Sequence, residues 1–333
     1  MKKSKKFVLA GLVLLAAITG LLALTGCKTD VDTSSPQQDQ PGDSNTNSTG
    51  TGGGESTETN DTITTSDPAA EAIAAITTEG TYTIEVQGNP DMTAVANALK
   101  DLASRLSGTR IHLDLSQSGI TSIGDRVFSN CTSLASVEIP SSVTSIGDSA
   151  FDGCSSLASV IFAEGSRLEI IWYSAFNGCS SLDSVEIPSS VTSIGDMVFF
   201  GCSSLDSVTF QDGSQLASIG ILAFRGCSNL DSVEIPSSVT SIGDMAFRGC
   251  RGLDSVTFQA GSQLEIIGNY AFYECSELST VKVEAETPPS LGTNVFDATA
   301  ADLKIQVPSS FVSDYLIAED WSAYEDKIVA ITP

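Results

Sequence analysis

Seven cysteines, at positions 131, 154, 179, 202, 227, 250 and 275, divide the chain at intervals of 23, 25, 23, 25, 23 and 25 residues. A short unit alternates with a long one, and the higher-order period is 48. Self-similarity at about 20–25 residues marks a solenoid, in which one turn cannot bury its apolar face but a stack can. A chain with this spacing is constrained to coil. Globular alternatives would need the repeats to be accidental.

Each short unit reads like Leu134-Ala135-Ser136-Val137-Glu138-Ile139-Pro140, then Val143, Ile146, Gly147, Asp148, Ala150, Phe151 and Cys154. Val137 and Ile139 alternate with Glu138, which predicts a strand with Glu138 facing out. Pro140 stops the pairing. Val143 and Ile146 supply a second inward pair, Gly147 permits a tight turn, and Asp148 is placed to N-cap a one-turn helix. Long units replace Pro-Ser-Ser-Val with Ala163-Glu164-Gly165-Ser166-Arg167-Leu168 and bulge by two residues on one edge. The fold class this predicts is a β-rich α/β solenoid: a right-handed array of 23/25-residue coils with parallel strands, capped at both ends.

The organisation along the chain is read as follows. Residues 1–26 combine four lysines with an apolar run over 7–24, the pattern of a secretory signal peptide or a membrane span. Leu24-Thr25-Gly26-Cys27 resembles the bacterial lipobox, which implies acylation of Cys27 and stable anchoring by two or more chains. Residues 27–67, rich in Ser, Thr, Gly, Asp, Gln and Asn, are expected to be a disordered linker spanning about 35 Å r.m.s.. Residues 68–131 read as an N-terminal cap and first coil, with a helix carrying Val95, Leu99, Leu102 and Leu106 on one face. Residues 132–299 are the array proper. Residues 300–333 read as a C-terminal cap with a last strand and an amphipathic tail of Tyr315, Leu316, Trp321 and Tyr324.

The unit Leu-x-x-Val-x-Ile-Pro-x-Ser-Val-Thr-Ser-Ile-Gly-x-x-Ala-Phe-x-x-Cys resembles the repeat of BspA-like leucine-rich-repeat proteins, treponemal surface antigens among them. The resemblance covers about residues 111–307 and extends to the terminal segment around Trp321 and Tyr324. It implies the leucine-rich-repeat fold and a role in attachment to host matrix proteins or other cells. It carries no transferable binding residues.

Charge narrows the partners. Beyond the leader the chain has 12 basic against 41 acidic residues, −29, so a nucleic-acid partner is not expected. No phosphate-cradling glycine loop or metal-binding spacing is present, and neither a cofactor nor a small-molecule substrate is expected. The recurrent Asp125, Asp148, Asp196 and Asp244 read as caps, not calcium ligands. The cysteine column reads as a ladder of buried thiols. His112, the one histidine, faces outward with no evident nucleophile beside it, so no enzymatic activity is expected.

Two surfaces remain as candidate partner sites. The strand face offers Glu138, Glu186 and Glu234 on alternate coils, about 10 Å apart. The column after the core phenylalanine holds Phe200, Arg225, Arg248 and Tyr273 on four successive coils, two arginines between two aromatic rings in an acidic chain. The expected role is a lipid-anchored cell-envelope protein, its array exposed at the outer surface and binding a protein. Alternatives are a structural or self-associating envelope protein and a glycan-binding module.

Overall fold

The computed structural model describes residues 60–65, as backbone only, and 69–331. The leader, Cys27 and the linker up to residue 59 lie outside the described residues. Among the described residues no helix is long and apolar enough to cross a membrane.

Twelve strands form one sheet in which every pair is parallel. It begins with β1 (Asn60–Thr65), β2 (Thr81–Val86) and β3 (Arg110–Asp114), runs through one strand per coil, and ends on Lys304–Val307 and Ile328–Ala330. A second sheet of eight two-residue strands, from Ser122–Ile123 to Ser290–Leu291, lines another side of each coil. The architecture is the parallel-strand solenoid that the cysteine spacing requires. Register is carried by identical residues: Ser184 pairs with Ser207 and Val185 with Val208, while Ser193 pairs with Ser218 and Ile194 with Ile219.

Between the two sheets runs the core. Phe128, Phe151, Phe176, Phe199, Phe224, Phe247, Phe272 and Phe296 stack at 5.0–5.6 Å between ring centroids, with interplanar angles of 3–14°. The separations are set by the coil rise, about 4.8 Å. Beside this column the seven repeat cysteines are free and buried. Each from Cys154 to Cys275 donates its Sγ–H to the carbonyl of the preceding coil's phenylalanine, at 2.9–3.2 Å. A thiol is small enough to fill the corner, and its Sγ–H adds a second donor to a carbonyl that already accepts from the cysteine amide of its own coil.

A glycine column makes the close stacking possible. A Cβ on Gly220 would lie 2.5 Å from the carbonyl carbon of Gly195, and one on Gly243 would lie 2.6 Å from that of Gly220. No real Cβ tolerates such a contact. Trp172 alone interrupts this column between Gly147 and Gly195, and it is 48% exposed.

Both ends are closed. At the N-terminus α1 (Ala69–Ala74) and α2 (Met92–Arg105) cover the first coil. Asp91 caps α2 by accepting from the amides of Thr93 and Ala94, and Val95, Leu99 and Leu102 are buried. At the C-terminus a 3-10 helix over Glu319–Lys327 places Trp321 and Tyr324 on the last phenylalanine, and α3 (Val312–Ile317) packs Tyr315 edge-on against Trp321. Tyr315 Oη donates to the Ala285 carbonyl, Trp321 Nε1 to that of Pro289, and Tyr324 Oη to Asp297 Oδ1.

Four expectations need correction. The linker expected to run to residue 67 gives way at Asn60–Thr65 to β1, paired in parallel with β2. Its Thr62-Ile63-Thr64-Thr65 run is β-branched, and the open edge of β2 offers it a full set of partners. Leu316 is exposed, not part of the buried cap face. The strand Ile328–Ala330 was not anticipated; it pairs with Lys304–Val307 and covers that edge of the sheet. Finally, the recurrent aspartates cap the next coil instead of a helix of their own. Asp125 Oδ1 accepts from the Asp148 amide at 2.9 Å, Asp196 Oδ1 from Ile221 and Asp244 Oδ1 from Asn269, both at 2.7 Å.

Two predictions follow from this packing. Gly220→Ala must push the coils ending at Cys202 and Cys227 apart, at a cost of about 1–3 kcal/mol. Because coils couple to neighbours, the loss should show as faster amide exchange centred on those two coils. Exchange unchanged there would refute the steric argument. The second concerns pH. Burial pushes the thiols of Cys131 and Cys202 up to about 12 from the ordinary 9.0, and those of Cys179, Cys227 and Cys250 upward as well. The unfolded chain therefore releases these protons first as pH rises. The stability contributed by the neutral thiols is complete below about pH 9 and lost progressively toward pH 12. Cys202→Ala should give a shallower fall in the urea midpoint over that range than wild type. Identical slopes would refute it.

Candidate binding surfaces

Each coil returns from the two-residue strand to the next long strand through a tight turn, and that turn carries the first candidate surface. Gly201 donates its amide to the carbonyl of Arg225, Gly226 to that of Arg248 and Gly249 to that of Tyr273, at 2.8–3.0 Å. Phe200, Arg225, Arg248 and Tyr273 therefore form one row on four successive coils, as the spacing predicted. The guanidinium carbon of Arg225 lies 5.4 Å from the centroid of the Phe200 ring, and that of Arg248 lies 5.1 Å from the Tyr273 ring. The two arginines thus splay toward opposite ends of the row, each over a ring whose quadrupole attracts it. Neighbouring cations alone would repel; the flanking rings resolve this. Glu274 sits 3.6 Å from Arg248 Nε. Arg225, Arg248, Arg251, Ser228 and Glu274, with the backbone of Gly226 and Gly249, line a recess of about 290 Å³.

The long strands carry the second surface. Glu138 pairs with Ile161, Glu186 with Thr209 and Glu234 with Thr257, so the three glutamates stand two coils apart and are not brought together. Glu234 Oε1 accepts from Gln259 Nε2 at 3.1 Å. Two features of this side were missed in the sequence. Asp183, Asp206, Asp231 and Asp254 occupy one exposed column on four successive coils, linked by backbone bonds such as the Asp206 amide to the Asp183 carbonyl. The recurring Leu-Asp-Ser-Val at 182, 205, 230 and 253 is the signal that reveals them.

The other concerns His112. It was expected to have no nucleophile beside it, yet its Nδ1 lies 2.6 Å from Ser136 Oγ, both half-buried. The two residues are paired across a register shift between Ile111 and His112. The shift skips Ala135 and brings Ser136, not its predecessor, opposite the imidazole, which period-2 counting does not foresee. The pair lies on the open strand face, where it joins the cap strand to the first repeat strand. Among the described residues no group of three or more His, Cys, Asp or Glu is placed to hold a metal ion.

Several solved structures resemble the chain. A leucine-rich-repeat protein from T. pallidum is 30% identical, with 58% of this chain and 78% of that one covered at a TM-score of 0.42. A leucine-rich-repeat protein from Bacteroides ovatus is 20% identical, with 76% and 84% covered at 0.40. The pneumococcal vaccine antigen PcpA is 18% identical, with 65% and 86% covered at 0.37. No curated protein matches the chain. The model of the BspA-type leucine-rich-repeat region matches residues 109–215 and 213–317, in six copies, which span the coils described above. Leucine-rich-repeat solenoids of this kind are bacterial, typically non-catalytic, and suited to binding protein; the chain belongs to the BspA-type leucine-rich-repeat family.

Proposed function

We propose that this protein is a lipid-anchored adhesin of the bacterial cell envelope whose array binds a host matrix or cell-surface protein, with no chemistry of its own. The observation that carries the reading is the row Phe200, Arg225, Arg248 and Tyr273. It sets two guanidiniums, each lying over an aromatic ring, on a rigid frame in an otherwise acidic chain. Arginine and aromatic side chains dominate binding hot spots, and side chains held in place before binding lose less entropy on association. The lipobox-like Leu24-Thr25-Gly26-Cys27 supports the anchor, and the polar stretch after it is long enough to hold the array off the membrane.

Two experiments test this. With Cys27→Ser, incorporation of radioactive palmitate should vanish; equal labelling of wild type and variant would overturn the anchor. For the array, purified matrix and cell-surface proteins are screened against the full chain. Arg225→Ala combined with Arg248→Ala should weaken the captured partner at least ten-fold, about 1.4 kcal/mol, without lowering Tm. If instead Glu138→Gln, Glu186→Gln and Glu234→Gln together abolish binding and the arginine pair has no effect, the partner binds the strand face. If no protein is captured, the adhesin reading fails.

A further inference from the structure

One position of the turn has positive φ in every coil from Arg126 to Asn294, with values of 53–60°. L-residues avoid this region, and glycine and asparagine occupy it at least cost. Asn294 at the end of the array follows that rule, and Ser149 and Ser174 near its start are small and buried. Exposed Arg126 in the first coil departs from it, and so do four successive coils further along. They place Met197, Leu222, Met245 and Tyr270 there, all only half-buried. Strain of this kind persists where something other than local preference selects the residue.

These four side chains do not stand alone. Tyr173 Oη lies 3.3 Å from Met197 Sδ, and Tyr270 packs edge-on against Tyr273 at 5.5 Å. Each αL residue is three positions before a member of the arginine–aromatic row, so Met197 is joined to Phe200, and Met245 to Arg248, within one turn. Trp172, Tyr173 and Ile221 are exposed on the adjoining positions. The adjoining position is polar in three of these coils, at Asp196, Asp244 and Asn269, and beyond the strip the outer positions are polar throughout: Asp125, Ser129, Asp148 and Asp152 before it, and Thr293 and Asp297 after it. Apart from Leu222 and Ile221, the large side chains of the strip are methionine, aromatic residues and arginine, types enriched in protein interfaces.

Charge then selects the occupant. The recess beside the strip has three guanidiniums against the single carboxylate of Glu274, while the chain as a whole is −25. Arg248 Nε is buried, and the Glu274 carboxylate at 3.6 Å stands beyond hydrogen-bond length from it. Guanidinium groups pair best with carboxylates in a bidentate manner.

We propose that the turn face of the coils ending at Cys179 through Cys275 is the docking surface, and that it takes an acidic segment of a partner protein. The segment's apolar side chains lie on Met197, Leu222, Met245 and Tyr270, and its carboxylates enter the recess of Arg225, Arg248 and Arg251. This rests on the reading of the array as a protein-binding surface and names the face and the chemistry of the partner.

The test uses the full chain and a synthetic peptide in which aspartate alternates with leucine and phenylalanine. Two tryptophans report on it, because Trp172 is 48% exposed at one end of the strip and Trp321 is 1% exposed in the cap. The peptide should shift the emission of Trp172 to shorter wavelength, and its affinity should fall as salt is raised. The same peptide with lysine in place of aspartate should not bind. Met197→Asn, Leu222→Asn and Met245→Asn together install a residue that favours positive φ. This triple variant should keep or raise Tm and weaken the peptide at least ten-fold. Several outcomes overturn the proposal: no binding of the acidic peptide, undiminished binding to the triple variant, or a Tm lowered by several degrees, which would make the residues packing. Equal binding of a sulfated polysaccharide would assign the recess to anions in general, and a doubled mass in light scattering that the variant abolishes would assign the strip to a second copy. Both overturn it. A matrix protein that binds the triple variant as tightly as wild type removes this docking face and leaves the adhesin reading standing.

Discussion

Backbone atoms one coil apart hydrogen-bond to each other along the whole array, so most side chains face a copy of their own position about 4.8 Å away. Every column must therefore tolerate stacking on itself. Phenylalanine meets this with parallel rings, cysteine by donating to the neighbouring carbonyl, and glycine by offering no Cβ at all. Charge meets it poorly. On the strand face Glu138, Glu186 and Glu234 are separated by Ile161 and Thr209, which doubles their spacing to about a Debye length at 0.1 M salt. Asp183, Asp206, Asp231 and Asp254 have no such spacing, and all four are exposed, where water screens them.

The same constraint explains which parts of the fold could be read from the sequence. Columns that stack on themselves repeat with the coil, so the phenylalanine, cysteine and inward aliphatic positions were all visible from spacing. A side chain that bonds to the backbone of the next coil, even within its own column, cannot be told by spacing from one that bonds inside its own coil. The aspartate carboxylates illustrate this. Asp244 is three residues before Phe247 and looks like a cap for its own turn, yet it accepts from Asn269 one coil later. In His112 and Ser136 the obstacle is a register shift that only three-dimensional pairing reveals. At Asn60–Thr65 a polar composition masked a strand, because composition registers the lack of core-forming residues and not the presence of an open edge.

The ends obey different physics from the middle. An interior phenylalanine is covered on both faces by its own kind, whereas Phe296 is covered on one face by Trp321 and Tyr324. Aromatic residues with a polar tip suit that place. Each buries its ring on the last coil and satisfies a carbonyl or carboxylate that no further coil will reach. Sequence reading found the aromatic residues of this cap but not its last strand, since Ile328-Val329-Ala330 is too short to show a period.

The arginine–aromatic row of the candidate turn face stands out against this background because it does not repeat, although Met197 and Met245 beside it do. Residues 182–197 and 230–245 are identical over all 16 positions, and their strand, loop and glycine are therefore the same structure twice. Divergence begins immediately beyond. Val198-Phe199-Phe200-Gly201 in one copy is Ala246-Phe247-Arg248-Gly249 in the other, with the core phenylalanine kept and the exposed residue changed from an aromatic to a cation. In the long coils that follow, Ile221, Leu222 and Arg225 correspond to Asn269, Tyr270 and Tyr273. Packing holds the inner columns alike, and solvent alone would favour small polar residues at the outer ones, as Asn294 and Asp297 show at the end of the array. Large side chains that differ from coil to coil satisfy neither requirement. A surface complementary to something that is itself not periodic satisfies both, and a protein partner has that property.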